Sequence, residues 1–131
     1  MNNLIESNSI LEKIPYKLSQ TFSELKATLK FVKSLDEVKM YEVTTHTQVS
    51  IFCLHAIKTT LYFHNNKLIG AYYLLSKNFS ELLETITQIE IILKFKLNKI
   101  NKIKYQWNIY NETFFLEINK NQFLYIYQYY K

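Results

Sequence analysis

The spacing of hydrophobic residues predicts a helical N-terminal part, two blocks of strands and a long helix between them. Residues 21–24, Thr-Phe-Ser-Glu, have the pattern of a helix capping box. Apolar residues then recur at helical spacing as far as Val32. This pattern predicts a helix over Thr21–Ser34. A shorter helical piece before it would be capped by Ser9 and would end near Pro15, because proline lacks the amide hydrogen that a helix interior uses.

The hydrophobic period changes to two between residues 38 and 75, which is typical of β-strands. Four strands are predicted in this first block: Val38–Thr45, Gln48–His55, Thr60–His64 and Lys67–Leu75. Asn65-Asn66 predicts a tight hairpin turn between the last two strands, because asparagine tolerates the positive φ of such turns. Regular pairing about this turn predicts one face with Leu61, Phe63, Leu68, Tyr72 and Leu74. The opposite face would carry Tyr62, His64, Ile69, Tyr73 and Leu75.

Residues 79–97 carry the clearest helical pattern of the chain. Asn78 can cap this helix, with Glu81 three residues later as its capping-box partner. Acidic residues lie near the start and lysines near the end, an order that matches the helix dipole. We therefore predict a helix over Phe79–Leu97 that packs against a sheet. Its buried stripe would comprise Phe79, Leu82, Leu83, Ile86, Ile89 and Leu93.

The last part of the chain, Ile103–Tyr130, predicts a three-stranded meander with turns at Asn111-Glu112 and Asn119–Asn121. The predicted inward set is Tyr105, Trp107, Ile109, Phe114, Leu116 and Ile118. If the second turn has three residues, Leu124 and Ile126 also point inward. The outer face then shows Phe115, Phe123, Tyr125 and Tyr127. A change of one residue in that turn would exchange the two faces of the last strand.

The order of these elements predicts a single α+β domain over residues 1–131. We expect an N-terminal helix, a four-stranded antiparallel block, a long helix and a three-stranded antiparallel meander, with the helices on one face of a curved sheet. The chain contains one cysteine, which excludes an internal disulfide. Residues 1–8 lack the features of a secretory signal, and no apolar run reaches the roughly 20 residues of a membrane span. We therefore expect a cytoplasmic protein without membrane association.

The composition excludes several kinds of active site. Gly70 is the only glycine, so the chain has no glycine-rich phosphate loop, no dinucleotide-binding fingerprint and no nucleophile elbow. The net charge is +5 and every basic residue is lysine, so no arginine provides bidentate recognition of phosphate or guanine. We assign no catalytic, cofactor-binding or metal-binding residues, and we expect neither enzymatic activity nor a cofactor.

The histidines and the cysteine are the strongest candidates for metal binding or nucleophilic chemistry. His46, His55 and His64 are spaced by nine residues, and the predicted pairing places Cys53, His55, Tyr62 and His64 on one face. Neighbouring side chains on one strand face stand parallel, however, whereas zinc needs three or four converging ligands. Cys53 lies in an apolar run and is predicted to be a small buried hydrophobic residue. A structural role is therefore favoured for all of them. An enzymatic alternative would require His55 or His64 to converge with a carboxylate.

The aromatic outer face of the meander is the chief candidate for function. Tyrosine and phenylalanine are enriched at the centres of protein interfaces. The predicted partner-binding residues are Phe115, Phe123, Tyr125, Tyr127, Tyr110 and Lys104. We expect a small protein-binding module whose partner is another protein or a second copy of the chain. Its size and composition are typical of inhibitors, immunity proteins and anti-defence proteins of bacteria and phages.

The same aromatic residues have two alternative interpretations. Rings beside Lys104 could stack the bases of a single-stranded nucleic acid while lysines contact its phosphates. In the other alternative, the rings have no binding role, either because the N-terminal segment covers the last strand or because an A/T-rich coding sequence has scattered tyrosines along the chain.

Overall fold

A computed structural model describes residues 10–130, in which antiparallel strands account for more than half of the residues. The strands are β1 (Leu29–Leu35), β2 (Val38–Val43), β3 (Val49–Ile51), β4 (Leu54–His64), β5 (Lys67–Asn78), β6 (Asn98–Asn101), β7 (Lys104–Ile109), β8 (Glu112–Ile118) and β9 (Phe123–Tyr130). Helix α1 (Phe22–Leu25) is followed by a 3₁₀ turn, Lys26–Thr28. Helix α2 (Leu82–Leu93) is preceded by another, Phe79–Glu81. The prediction of an α+β fold is confirmed.

The nine strands of this range form one sheet, whereas the sequence predicted seven strands in two blocks. The strand order is β1-β2-β4-β5-β9-β8-β7-β6, and β3 pairs with β4 outside this path. Pairing of β5 with β9 joins the two predicted blocks. Side chains on what we call the inner face contribute to a single hydrophobic core, which also includes buried residues of α2. The opposite side of the sheet is the outer face.

The predicted helix over Thr21–Ser34 is wrong beyond its first turns. Leu29–Leu35 is strand β1, which pairs with β2. Thr21 makes no side-chain capping hydrogen bond. The strand forms because β2 begins only three residues after β1 ends and provides its backbone with hydrogen-bond partners. The predicted capping residue of the preceding helical piece, Ser9, lies outside the described residues.

The predicted strand Gln48–His55 is divided by a hairpin turn at Phe52-Cys53. Both turn residues have positive φ, 51° and 63°, although neither is a typical turn residue. The Phe52 ring packs against Trp107 and Phe114, and its centroid lies 5.7 Å from the centroid of each of those rings. We infer that this burial offsets the backbone cost of the turn. Cys53 is exposed at the turn, so the prediction that it is buried is wrong.

A β-bulge in β5 changes which residues face the core. The predicted turn at Asn65-Asn66 is confirmed, with φ of 51° and 62°. Phe63 pairs with Leu68, but Tyr62 pairs with Gly70, which leaves Ile69 as an extra residue.

Beyond Ile69 the two predicted faces of this hairpin are therefore exchanged. Tyr73 and Leu75 are fully buried on the inner face. Tyr72 and Leu74 lie on the outer face and are partly exposed.

Helix α2 is capped as predicted but is shorter than predicted. The Asn78 side chain accepts from Ser80 N at 3.0 Å, and Glu81 accepts from Asn78 N at 3.3 Å. The helix ends at Leu93 because the next residue has left-handed backbone geometry, with φ of 65°. Its buried residues are Leu82, Thr85, Ile86, Ile89 and Leu93. The prediction that Phe79 and Leu83 are buried is wrong, since both are exposed.

The meander has the predicted faces in a shifted register. The first turn lies at residues 110–111, so Trp107 pairs with Phe114 rather than with Leu116. The second loop spans residues 119–122, and Ile118 pairs with Leu124. Each shift moves the pairing by two residues, which leaves the faces unchanged. The inward residues Phe114, Leu116, Leu124 and Ile126 are all fully buried, as predicted.

A buried polar network ties the N-terminal segment to the inner face. The Tyr73 hydroxyl donates to Gln128 Oε1 at 2.6 Å. Gln128 Nε2 donates to the Tyr16 carbonyl oxygen at 2.9 Å and to Glu112 Oε1 at 2.5 Å. The Tyr16 ring also stacks on Tyr73, with centroids 6.5 Å apart. These contacts fix the N-terminal segment against the core.

In the described part of the chain, no helix is long and apolar enough to cross a membrane.

We expect Tyr73→Phe to lower the free energy of unfolding by about 1–2 kcal/mol, because it leaves the buried Gln128 Oε1 without its donor. Tyr62→Phe is the matched control, since Tyr62 is partly exposed on the outer face, and it should change stability by less than about 0.5 kcal/mol. Urea denaturation measures both variants. Equal losses in the two variants would contradict the inward placement of Tyr73.

Candidate protein-binding face

The centre of the outer face is a continuous aromatic surface, which we call the tyrosine face. It consists of one residue from β4, one from β5, one from β8 and three from β9: Tyr62, Tyr72, Phe115, Tyr125, Tyr127 and Tyr129. All six side chains are partly exposed. The sheet register places Tyr127 at the centre of this surface, between Tyr72 on one side and Phe115 on the other. The aromatic rings thus extend across four consecutive strands of the sheet, β4, β5, β9 and β8.

The rings of the tyrosine face contact one another across the strands. Tyr72 and Tyr125 have centroids 4.9 Å apart, and Tyr62 meets Tyr127 edge-on at 6.0 Å. Tyr129 stacks on Tyr127 at 5.7 Å and on Phe115 at 5.5 Å. Such pairs stabilise each other by about 0.5–1.5 kcal/mol beyond their buried area. The contacts also hold the rings in place before any partner arrives.

The only glycine of the chain makes room for this arrangement. A Cβ atom at Gly70 would lie 2.7 Å from the Tyr127 hydroxyl oxygen and 3.5 Å from a backbone oxygen of β9. Gly70 directly follows the bulged residue Ile69 in β5. The bulge and the glycine therefore together allow the Tyr127 ring to extend over β5 toward Tyr62.

Four charged groups of the outer face contact an aromatic ring, a hydroxyl or each other. The Lys104 ammonium lies 4.0 Å from the centroid of the Phe115 ring, within cation–π distance. Glu117 accepts a hydrogen bond from the Tyr125 hydroxyl at 2.6 Å. Lys58 and Glu42 form an ion pair at 4.0 Å beyond the β4 side of the tyrosine face. These two lysines and two glutamates have opposite charges, and the register places two further lysines, Lys30 and Lys33, on the outer side of the edge strand β1.

Four tyrosine hydroxyls on this face have raised pKa values and resist ionisation. Burial raises the pKa of Tyr62, Tyr72 and Tyr127 above the ordinary value near 10. The pKa of Tyr125 is raised most clearly, by burial and then by its hydrogen bond to Glu117 and the charge of that carboxylate. These hydroxyls therefore remain neutral hydrogen-bond donors at physiological pH.

Four of the predicted partner-binding residues lie together on the outer face: Phe115, Tyr125, Tyr127 and Lys104. Phe123 lies at the start of β9, where it pairs with Asn78, and is 40% exposed. Tyr110 lies in the β7–β8 turn, outside the tyrosine face, and lines a cleft beside the N-terminal segment.

Three members of the tyrosine face, Tyr62, Tyr72 and Tyr129, were not among the partner-binding residues predicted from the sequence. Tyr129 continues the period of two set by Tyr125 and Tyr127, so the pattern itself could have revealed it. Tyr62 and Tyr72 could not be assigned to one face without the bulge at Ile69. The alternative in which the N-terminal segment covers β9 fails for the described residues, because Tyr16 stacks on the inner face instead.

The two histidines of β4 lie far apart in the structure. His55 and His64 lie nine residues apart on β4, a separation of about 30 Å along a strand. His64 Nε2 is 3.0 Å from a Glu37 carboxylate oxygen, in an exposed pair. No three histidine, cysteine or acidic side chains of this range are grouped so that they could hold a metal ion.

Comparisons with models of protein families, with curated proteins and with solved structures find no match. The function of the chain is therefore inferred from its residues and their geometry.

We expect the free energy of unfolding to fall as the pH rises above about 10. The raised tyrosine pKa values mean that the folded state holds these protons more tightly than the unfolded chain does. The resulting stabilisation is complete below the unfolded value and is lost as the pH rises through the folded values. Denaturation at a series of alkaline pH values measures this loss.

Glu117→Gln should lower the pKa of Tyr125, because it removes the negative charge beside the hydroxyl. Tyrosinate absorbance, titrated in the wild type and the variant, reports this shift. Glu84→Gln on the exposed side of α2 is the matched control with the same change in charge. The same displacement of the titration curve in both variants would show that the local contact has no effect.

Proposed function

We propose that this chain is a non-enzymatic protein-binding module that acts by covering a partner's surface with the tyrosine face. Inhibitors, immunity proteins and anti-defence proteins act in this way, and we propose that the chain belongs to this class. The single observation that carries the proposal is the group of six neighbouring rings on the outer face, in which four rings contact one another in series and the other two form a pair.

The physical basis of the proposal is the low cost of ordering these side chains. Binding normally costs about 0.5–1.5 kcal/mol for each flexible side chain that becomes immobilised. The cross-strand ring contacts have already restricted these tyrosines. Tyrosine further combines a large apolar area with a polar end, which is why binding surfaces use it extensively. The tyrosine face thus has the chemistry of an interface core.

The contacts of the two lysines closest to the tyrosine face favour a protein over a nucleic acid as the partner. Phosphate binding draws its affinity from several cations that displace counterions. Here Lys58 is paired with Glu42, and Lys104 lies over Phe115. The neutral hydroxyls favour a partner surface that offers apolar area together with carbonyl or carboxylate acceptors. Single-stranded nucleic acid is the second candidate, and the Lys104–Phe115 contact is the observation that favours it.

Affinity capture from a lysate of the source cells, with the purified chain as bait and mass spectrometry as the readout, tests this proposal. The binding constant of a captured protein is then measured with purified components. We expect the triple variant Phe115→Ser, Tyr125→Ser, Tyr127→Ser to weaken binding by at least about 100-fold, since truncation of central aromatic residues commonly costs 2 kcal/mol or more. The triple variant must first be shown to be folded.

The matched control is Leu83→Ser, Ile91→Ser, Phe95→Ser, which changes three exposed apolar residues on or next to α2. This control should bind as the wild type does. Light scattering on both variants shows whether the partner is a second copy of the chain. A folded triple variant with undiminished affinity would refute the tyrosine face as the interface. Capture that nuclease treatment abolishes and that weakens steeply with salt would support the nucleic-acid candidate instead.

A further inference from the structure

A cleft of about 380 Å³ lies between the N-terminal segment and the β7–β8 turn, away from the tyrosine face. This volume lies within the range of small-molecule sites, about 300–1,000 Å³. Its apolar walls come from Leu11, Ile14 and Ile109, with Tyr16 and Tyr110 beside them. Lys17, Asn111 and Glu112 supply its polar lining. An apolar cleft with few polar groups is the usual form of a site for a small organic ligand.

Two polar residues beside this cleft occupy positions that the sheet otherwise gives to apolar side chains. Glu112 belongs to the inward row of β8, whose next members are Phe114 and Leu116. Gln128 belongs to the inward row of β9, after Leu124 and Ile126, and is fully buried. Polar groups at core positions destabilise the fold unless they are hydrogen-bonded. Departures of this kind from a sheet's polar pattern are concentrated at functional sites.

The hydrogen bonds of these residues fix Glu112 as an acceptor. The Tyr73 hydroxyl donates to Gln128 Oε1, which orients the Gln128 amide group toward Glu112. Gln128 Nε2 then donates to Glu112 Oε1. Glu112 is the last acceptor in this series of hydrogen bonds and is one of the residues that line the cleft. A ligand that enters the cleft therefore meets a negatively charged acceptor at a fixed position.

We propose that this cleft binds a small organic ammonium ion with an aromatic or aliphatic body. The ammonium group donates to the Glu112 carboxylate, and the body packs against Leu11, Ile14 and Ile109. Lys17 is the other charged residue in the lining and is exposed. Its charge disfavours the reverse orientation of the ligand. This site is independent of the tyrosine face and of the partner proposed for it.

Three probes that differ in one group test the proposal: tryptamine, its alcohol analogue tryptophol, and indole-3-propionate. Each is titrated into the isotopically labelled chain, and amide chemical shifts are followed by NMR. We expect dissociation constants on the order of millimolar for such small probes. Tryptamine should shift residues 11–17 and 109–112 and bind about tenfold more tightly than tryptophol, because charged hydrogen bonds are stronger than neutral ones. Indole-3-propionate should bind most weakly.

Glu112→Gln keeps an acceptor for Gln128 but removes the charge, so it should abolish the preference for tryptamine over tryptophol. Leu11→Trp, at an exposed position of the wall, should fill the cleft and weaken all three probes about tenfold or more. It provides the decisive comparison if Glu112→Gln does not fold. Equal affinities of the three probes, shifts outside the cleft, or no binding at millimolar concentration would each overturn the proposal.

Discussion

The extra residue Ile69 in β5 determines which side chains of the sheet enter the core and which form its outer face. β5 pairs with β4 on one side and with β9 on the other, so it joins the two halves of the sheet. An extra residue in a strand makes each later side chain of that strand point to the opposite face of the sheet. After Ile69, Tyr73 therefore points into the core and Tyr72 points outward.

The core and the proposed interface both depend on this exchange. Inside, Tyr73 orients Gln128, which in turn holds the N-terminal segment and Glu112. Outside, Tyr72 meets Tyr125, and the neighbouring glycine leaves space for the Tyr127 ring. One backbone irregularity thus provides both the hydrogen-bonded wall of the cleft and the aromatic surface on the opposite side of the sheet.

Local patterns in the sequence correctly predicted those features of the structure that depend on residues close together in the chain. The capping box at Asn78 is such a case, because the residues that satisfy the helix end lie within three positions of each other. The alternation in β8 and β9 also predicted the faces of Phe115, Tyr125 and Tyr127. It did so although both turns were misplaced, since a register error of two residues leaves the faces unchanged.

The features that the sequence did not reveal depend on contacts between distant residues. The apolar residues of Leu29–Leu35 have helical spacing, yet this segment pairs with β2 as a strand of the sheet. The turn at Phe52-Cys53 has no turn-forming residues and depends on the burial of Phe52 against Trp107 and Phe114. The bulge at Ile69 likewise has no local signature beyond the adjacent glycine. For this reason Tyr62 and Tyr72 could not be assigned to the tyrosine face in advance.

Nuclear Overhauser effects between aromatic protons test the placement of Tyr72 and Tyr73 most directly. Our account predicts cross-peaks between the rings of Tyr72 and Tyr125, whose centroids are 4.9 Å apart. It also predicts cross-peaks between Tyr73 and Tyr16. Residue-specific isotope labelling of these tyrosines would make the assignment unambiguous. Cross-peaks from Tyr72 to the core residues Leu61 and Leu68, with none from Tyr73 to Tyr16, would show an unbulged strand and contradict the account.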